Sequence, residues 1–325
     1  MLDQFFSVES LKKIFDYENR RGCYLKSILT TDINQLTEEI KLSIKNLKQY
    51  KSKNPTKKKE IQELYKCKYE LIDKKNNLIK TELQKISDKI LSDNFSITLT
   101  RNNFNPLKPI YSTNKNLPEV FFALKQMQNI LKKTYKVKQS NRNQILSQFK
   151  NVIESTYPKY IMRTDIKSFY ESIDRDRLLG KINREQLLTL DIKKMIHKIC
   201  EEYGRLSGNN KGVPRGIGVS PYLVEIYMKD LDNFMKHNKN VIFYARYVDD
   251  IIIVSTLKSI DKIFEKEIIK LKLSINKAKD KTKKFYVNSK DIKVKNKEYE
   301  IKYLGYKICI KNNNIVFKLS DDRIT

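Results

Sequence analysis

The chain has 325 residues, enough to bury a sizeable core, and its hydrophobic (40%) and charged (32%) fractions exclude a disordered or fibrous protein. A formal net charge of +28 points to a polyanionic partner, nucleic acid or an anionic membrane surface; a Lys-, Asn- and Ile-rich composition of the kind AT-rich coding produces would also make the chain basic. Four scattered cysteines (Cys23, Cys67, Cys200 and Cys309) with only His197 and His237 beside them argue against a zinc centre. Free thiols without a signal peptide indicate a reducing cytoplasm, and no apolar run approaches the roughly 20 residues that span a bilayer.

In chain order, the first residues mix apolar and basic positions and read as short helices. From Asp32 to about Ser92 apolar residues recur at three- and four-residue steps: Ile33, Leu36, Ile40, Ile44 and Leu47, then Ile61, Leu64, Leu71, Leu78, Ile86 and Ile90. That spacing lines one face of a helix. Asn54-Pro55 interrupts it, because proline cannot continue a helix and pushes its predecessor toward extended geometry. The expectation is an antiparallel helical hairpin over about 32–92, within an N-terminal helical region 1–93. It reads as an arm, a packing element, an RNA contact made through its lysines, or a contact with another subunit.

After Asn94 the pattern turns mixed α/β. Lys159 to Asp165 reads as a strand, followed by polar and helical sequence up to Tyr203 and a glycine-rich loop from Gly204 to Val219. A helix is predicted to begin at Ser220, with its hydroxyl as N-cap and Pro221 at the first helical position. Val241 to Tyr247, a two-acid turn and Ile251 to Val254 make a hairpin with Asp249 and Asp250 at its tip. A helix from about Lys258 to Leu273 and several short strands complete the chain.

Adjacent acids between two apolar strands are either a solvated turn or a site, because buried carboxylates without partners are costly. A third acid, Asp165, ends another apolar strand in Ile161-Met162-Arg163-Thr164-Asp165-Ile166-Lys167-Ser168-Phe169-Tyr170. If the two strands are neighbours, three carboxylates converge. Hard oxygen ligands suit Mg²⁺, which takes one or two carboxylates plus substrate phosphates. Two such ions about 4 Å apart can serve phosphoryl transfer.

Here the sequence resembles a family. Asp165 to Tyr170 resembles the first palm motif of reverse transcriptases, and Tyr247-Val248-Asp249-Asp250 their YxDD motif. Gly212-Val213-Pro214-Arg215-Gly216-Ile217-Gly218-Val219-Ser220-Pro221 resembles the family's PQGxxxSP loop and helix start, and Tyr303-Leu304-Gly305-Tyr306 its primer-gripping hairpin. The four motifs stand in the family's order.

The resemblance implies an α+β right-hand polymerase: fingers and an antiparallel palm sheet with helices over 94–319, behind the N-terminal hairpin. Residues 320–325 would then be the start of a thumb or C-terminal region that is short or absent from this chain. It implies two Mg²⁺ ions, with Mn²⁺ as a substitute, on Asp165, Asp249, Asp250 and the Ile166 carbonyl. Tyr170 would be the aromatic that crowds a ribose 2′-hydroxyl and so selects deoxynucleotides. Arg215, Gly216 and Ser220 would line the nucleotide, with Gly216 and Gly218 allowing close backbone approach, and Arg142 would contact the triphosphate. Lys279 or Lys281 would be the general acid for pyrophosphate, and Arg246, as in the group II intron branch, would support the hairpin.

Arg215 departs from the family's usual Gln. With the phrase from Arg163 to Ile173 it makes the chain most similar to bacterial defence-associated and abortive-infection reverse transcriptases. The implied function is RNA-directed DNA synthesis in antiphage defence with a structured non-coding RNA. The partners would be RNA, dNTPs and the DNA product, with a second copy or another subunit supplying thumb-like contacts. Untemplated or protein-primed synthesis by the same site, an idle maturase-like RNA-binding scaffold and an RNA polymerase are the alternatives. Three intact acids count against the scaffold and Tyr170 against the RNA polymerase.

Overall fold

The computed structural model describes residues 3–23, 30–102, 109–114, 116–155, 157–287, 299–311 and 314–319. The expected thumb start, 320–325, lies outside them. Two compact units divide the chain: residues 1–100 with 112–130, and 101–111 with 131–325. This differs from a boundary at 93/94. The chain passes from one unit to the other along two short paired strands, β1 (Leu99–Asn102) and β2 (Ile110–Thr113).

The first unit holds α1 (Val8–Arg20), α2 (Thr31–Lys53), α3 (Lys58–Leu91) and most of α4 (Pro118–Thr134). Helix α1 starts where the Ser7 hydroxyl accepts from the Ser10 N–H, and it buries Leu11, Ile14 and Phe15. The root of α3 is tied in by Ser87, whose hydroxyl donates to the Phe6 carbonyl at 2.6 Å. Helix α4 joins this unit because Gln126 donates to the Phe5 carbonyl (3.0 Å) and Lys125 pairs with the buried Glu18 (2.8 Å). Helices α2 and α3 form the expected hairpin, and the break falls at Asn54-Pro55.

The second unit is built on a four-stranded antiparallel sheet of order β4-β5-β3-β6, from β3 (Lys159–Asp165), β4 (Val241–Tyr247), β5 (Asp250–Ser255) and β6 (Lys283–Val287). One face packs Ile161, Ala245, Ile252 and Val254 against Ile145, Leu146, Phe149 and Ile153 of α5 (Arg142–Glu154). The same core takes in Ile301, Tyr303, Leu304 and Ile308 from a second antiparallel sheet, β7 (Tyr299–Tyr303), β8 (Tyr306–Lys311) and β9 (Asn314–Leu319). The other face of β4 meets α9 (Ser220–Lys236), to which Tyr244 and Arg246 are bonded. Both faces of the central strands are covered. That is why β3 and β5 read as continuous apolar runs rather than alternating ones. The remaining helices are α6 (Phe169–Ser172), α7 (Arg175–Glu185), α8 (Leu190–Ser207) and α10 (Ile260–Lys270). The glycine-rich loop therefore begins after Ser207, since Gly204 is still helical.

Two buried polar residues fix this scaffold. Lys159, 1% exposed, donates to the Val152, Ile153 and Ser155 carbonyls and so caps the C-terminus of α5; burial pulls its ammonium down to about 8. Asp174 caps α7 by accepting from the Arg177 N–H at 2.9 Å. Burial pushes the Asp174 carboxyl up, but Lys272 and the capped N–H outweigh it and hold it below the usual range. Lys272 is mostly exposed, so the cap dominates. Asp174→Ala should cost about 1–2 kcal/mol at pH 7. The carboxyl titrates lower folded than unfolded, so the difference is full above the usual carboxylate range and is lost as pH falls from there through the lower folded value. Urea unfolding of both proteins at pH 7 and pH 3 measures it.

Candidate active site

Strands β3 and β5 bring the acids together. Asp165 and Asp250 are direct cross-strand partners, and beyond them the Ile166 N–H donates to the Asp249 carbonyl at 3.1 Å. Asp249 lies in the two-residue turn between β4 and β5, beside Val248. Val248 has φ +59°, a left-handed conformation that a β-branched residue adopts only at a cost of order 1–3 kcal/mol. Asp250 is the first residue of β5 rather than part of the turn.

The three carboxylates do not act alike. Asp165 Oδ1 is buried with no hydrogen-bond partner, and burial is the main reason its carboxyl is raised above the usual range; Lys281 and Arg163 pull the other way and Asp249 adds to the rise. Asp250 is raised by burial too, but its Oδ1 accepts from Arg163 Nε at 3.0 Å. Arg163 sits two residues before Asp165, hence on the same face of β3, and reaches Asp250 across the strands. The register brings Asp165 and Asp250 together with Asp249 next to them, although no group of three or more His, Cys, Asp or Glu side chains at metal-holding spacing stands among the described residues. An arginine occupies one oxygen of the third carboxylate. Asp165, with an unpartnered oxygen, and Asp249 remain, and two carboxylates suffice for Mg²⁺ completed by phosphates and water.

The other predicted residues distribute around this pair. Lys281 Nζ lies 3.7 Å from Asp165 Oδ2, which separates it by geometry from Lys279 as the candidate beside the acids. Arg163 Nη1 also holds the Asp280 (3.0 Å) and Lys281 (2.7 Å) carbonyls, so one guanidinium braces Asp250 and the segment carrying Lys281. Tyr170 follows a turn at Ser168 (φ +47°) that folds α6 back. Burial chiefly raises its phenol, and it feels the charges of Arg215, Glu225 and Asp249.

Arg215 is not a free cation. It pairs with Glu171 at 3.1 Å and lies over the Tyr170 ring, 5.0 Å from its centroid. The loop is pinned by Gly212 N–H to the Ile173 carbonyl (2.7 Å), Val213 N–H to the Tyr170 carbonyl (2.9 Å) and Tyr111 N–H to the Arg215 carbonyl (2.7 Å). Gly216 has φ +99°, and a Cβ there would stand 2.4 Å from the Tyr111 carbonyl oxygen. In the structure its close approach is to β2, which by itself requires glycine there. Ser220 is corrected. It is the first residue of α9, Val219 takes the cap position, and the Ser220 hydroxyl is fully buried without a partner. It neither caps the helix nor offers an oxygen at the surface.

Arg142 opens α5 with its Nε buried and unpartnered. A cation in a first turn opposes the helix dipole, so helix stability does not account for it. Tyr303, Leu304, Gly305 and Tyr306 form the β7–β8 turn, with positive φ at Leu304 (+50°) and Gly305 (+76°). Tyr303 is buried edge-on to Phe149, and the Leu304 backbone helps to hold the Asp250 carboxyl down against burial, so this hairpin is docked beside the acids.

Sequence reading passed over Arg163, Glu171, Glu225 and Asp232. Arg163 had a signal, a charge inside an apolar strand. So had the last two, acids two turns apart on the buried side of α9. Arg246 uses all five of its N–H donors: on Asp232 (2.9 and 2.6 Å), on Glu225 (3.1 and 2.6 Å) and on the Val248 carbonyl (3.0 Å). Burial works against its charge, but the two carboxylates hold it well above the ordinary arginine value.

Comparison with known families assigns this arrangement. The family model described as reverse transcriptase (RNA-dependent DNA polymerase) matches residues 107–308, well over half of the chain and every acid and loop just described. The chain belongs to the reverse transcriptase family. No curated protein matches it by sequence. Among solved structures, apo telomerase from Candida tropicalis truncated from the C-terminal domain is 15% identical with a TM-score of 0.44, over 71% of this chain and 56% of that one. Telomerase from Candida albicans in complex with a TWJ fragment of telomeric RNA is 14% identical with a TM-score of 0.41, over 61% and 37%. This reverse transcriptase chain thus spans 56% and 37% of the lengths of those two structures. No helix among its described residues is long and apolar enough to cross a membrane.

Proposed function

We propose that this chain adds dNTPs to a primer hydroxyl on an RNA template, with the β4-β5-β3-β6 sheet as the palm. The observation that carries this is the Asp165–Asp249 pair, locked by the Ile166–Asp249 backbone bond and holding an unpartnered carboxylate oxygen. Two divalent ions bound there would supply charge neutralisation on the triphosphate and activation of the attacking hydroxyl. The protein contributes position. Asp165 presents its oxygens from the end of β3 and Asp249 from the β4–β5 turn, Arg163 withdraws Asp250 toward a bracing role, and Arg142 supplies charge for the triphosphate. Lys281, beside Asp165, is placed to return a proton to the leaving pyrophosphate. The β7–β8 turn backs the primer end.

Tyr170 makes the product DNA in this reading. Its ring is clamped between the palm and an Arg215 guanidinium that Glu171 holds in place, so the face that would meet C2′ is stiff. Arg215 in place of the usual Gln also supports kinship with the defence-associated group and a role in antiphage defence with a structured RNA. The test is labelled-nucleotide incorporation on a primed RNA template with Mg²⁺. The chain should use dNTPs and reject rNTPs, and no incorporation of either would sink the proposal. Tyr170→Ala should relax dNTP preference at least about tenfold, or 1.4 kcal/mol. Arg215→Gln should relax it by less, and an unchanged preference in Tyr170→Ala would remove the gate.

A further inference from the structure

The α2–α3 hairpin carries a charge gradient that its packing does not require. Between residues 45 and 68, around the turn, stand nine lysines and only two acids, Glu60 and Glu63. The rest of the hairpin, 31–44 and 69–91, has six lysines against seven acids. The tip is therefore at +7 and the root at −1, a contrast that the basic composition of the whole chain does not produce.

The buried residues of α3, Ile79, Leu83, Ile86, Ser87 and Ile90, all lie in its root. Lys58 is 21 residues from Ile79, or about 30 Å along the helix. At the tip, Leu47 is buried and Ile61 and Leu64 are half-buried, while every lysine there but Lys68 is exposed. Lys57–Glu60 is the one ion pair that the tip lysines make among the described residues. Lys68 lies over the rings of Tyr65 and Tyr69, at 5.1 and 4.3 Å. The tip is an exposed ammonium field with little internal neutralisation.

We propose that this tip binds the sugar-phosphate backbone of the RNA on which the polymerase works. A membrane-binding helix needs an outward apolar face, and the apolar residues of the tip are turned inward. The tip has no arginine and no acid beyond Glu60 and Glu63. Lysine ammoniums contact phosphate as point charges and do not read base edges as an arginine fork does, so the contact is indifferent to sequence. The choice of RNA rests on the function proposed above; the polyanion contact does not.

The test compares two full-length variants with equal changes in net charge. In one, Lys48, Lys51, Lys53, Lys58 and Lys59 become Glu; in the other, Lys41, Lys74, Lys80, Lys85 and Lys89 do. Affinity for a stem-loop RNA, a DNA duplex of equal length and phosphatidylserine vesicles is followed as salt is varied. The tip variant should bind RNA about tenfold or more weakly and flatten the dependence of log K on log salt by roughly 0.7–0.9 for each phosphate that it no longer neutralises. The root variant should change little, in affinity and in extension of a short primed template alike. Equal losses of affinity in the two variants, or none, would overturn the proposal, as would a tip dependence confined to DNA or vesicles. If the parent makes no DNA and the tip variant still binds RNA more weakly, the polymerase reading fails and the tip contact stands.

Discussion

Asp249→Asn and Asp165→Asn are each expected to abolish nucleotide incorporation, by on the order of 10³-fold or more, with the fold intact. Both remove a charged oxygen from the pair proposed to hold the divalent ions. Asp165 Oδ1 is buried and unpartnered, and a neutral amide costs less to leave in that position than a carboxylate. The Asp165→Asn protein should therefore melt no lower than the parent in EDTA. Mg²⁺ at about ten times its dissociation constant should stabilise the parent by about 1.4 kcal/mol, a few degrees in Tm, and both variants by much less. Asp250 is the less informative residue to change. Arg163, 8% exposed, would lose its carboxylate partner in Asp250→Ala, and the Lys281 segment it holds would loosen. A lost activity there would mix chemistry with structure. Full incorporation by Asp249→Asn, or an equal Mg²⁺ shift in parent and variants, would dismiss the metal assignment.

What was legible in the sequence was whatever one strand or helix decides by itself. β3 and β4 fall on the expected residues because their apolar runs end at charged or turn positions, and the α2–α3 break falls at Pro55 because proline's geometry is local. The acids stood out because adjacent aspartates between apolar strands have few structural uses. What escaped was pairing. Whether Asp250 faces a metal or Arg163 depends on a cross-strand register, and whether Arg215 is free depends on Glu171, which is 44 residues away. The Ser220 cap failed for a related reason: its hydroxyl obeys the local rule, but the packing of α9 buries it. A glycine in this loop signals a close approach, but only the three-dimensional fold shows that Tyr111 is its neighbour. The packing of helix α4 on the N-terminal helices escaped because Gln126 and Lys125 reach back more than a hundred residues.

Arg246→Met is expected to cost about 3–5 kcal/mol in urea unfolding, the penalty for leaving buried charges unpaired. Glu225 and Asp232 would both lose their bidentate partner, and Tyr244 Oη, 2.7 Å from Asp232, cannot neutralise it. Adding Glu225→Gln and Asp232→Asn to Arg246→Met should restore part of the stability, because the orphaned charges then disappear with their partner. Arg246→Lys separates stability from function. A lysine keeps the charge but has three donors rather than five, so it cannot serve both carboxylates and the Val248 carbonyl. Arg246 Nη1 holds that carbonyl, and Val248 sits in a strained left-handed conformation immediately before Asp249. Release of the turn should let Asp249 drift by a fraction of an ångström to an ångström, which lowers kcat by up to about 100-fold. KM for dNTP should change little, because Arg142 and Tyr170 are untouched. A Lys variant with parental kcat would show that the turn keeps its shape without the fifth donor, and Arg246 would then be a stability element alone.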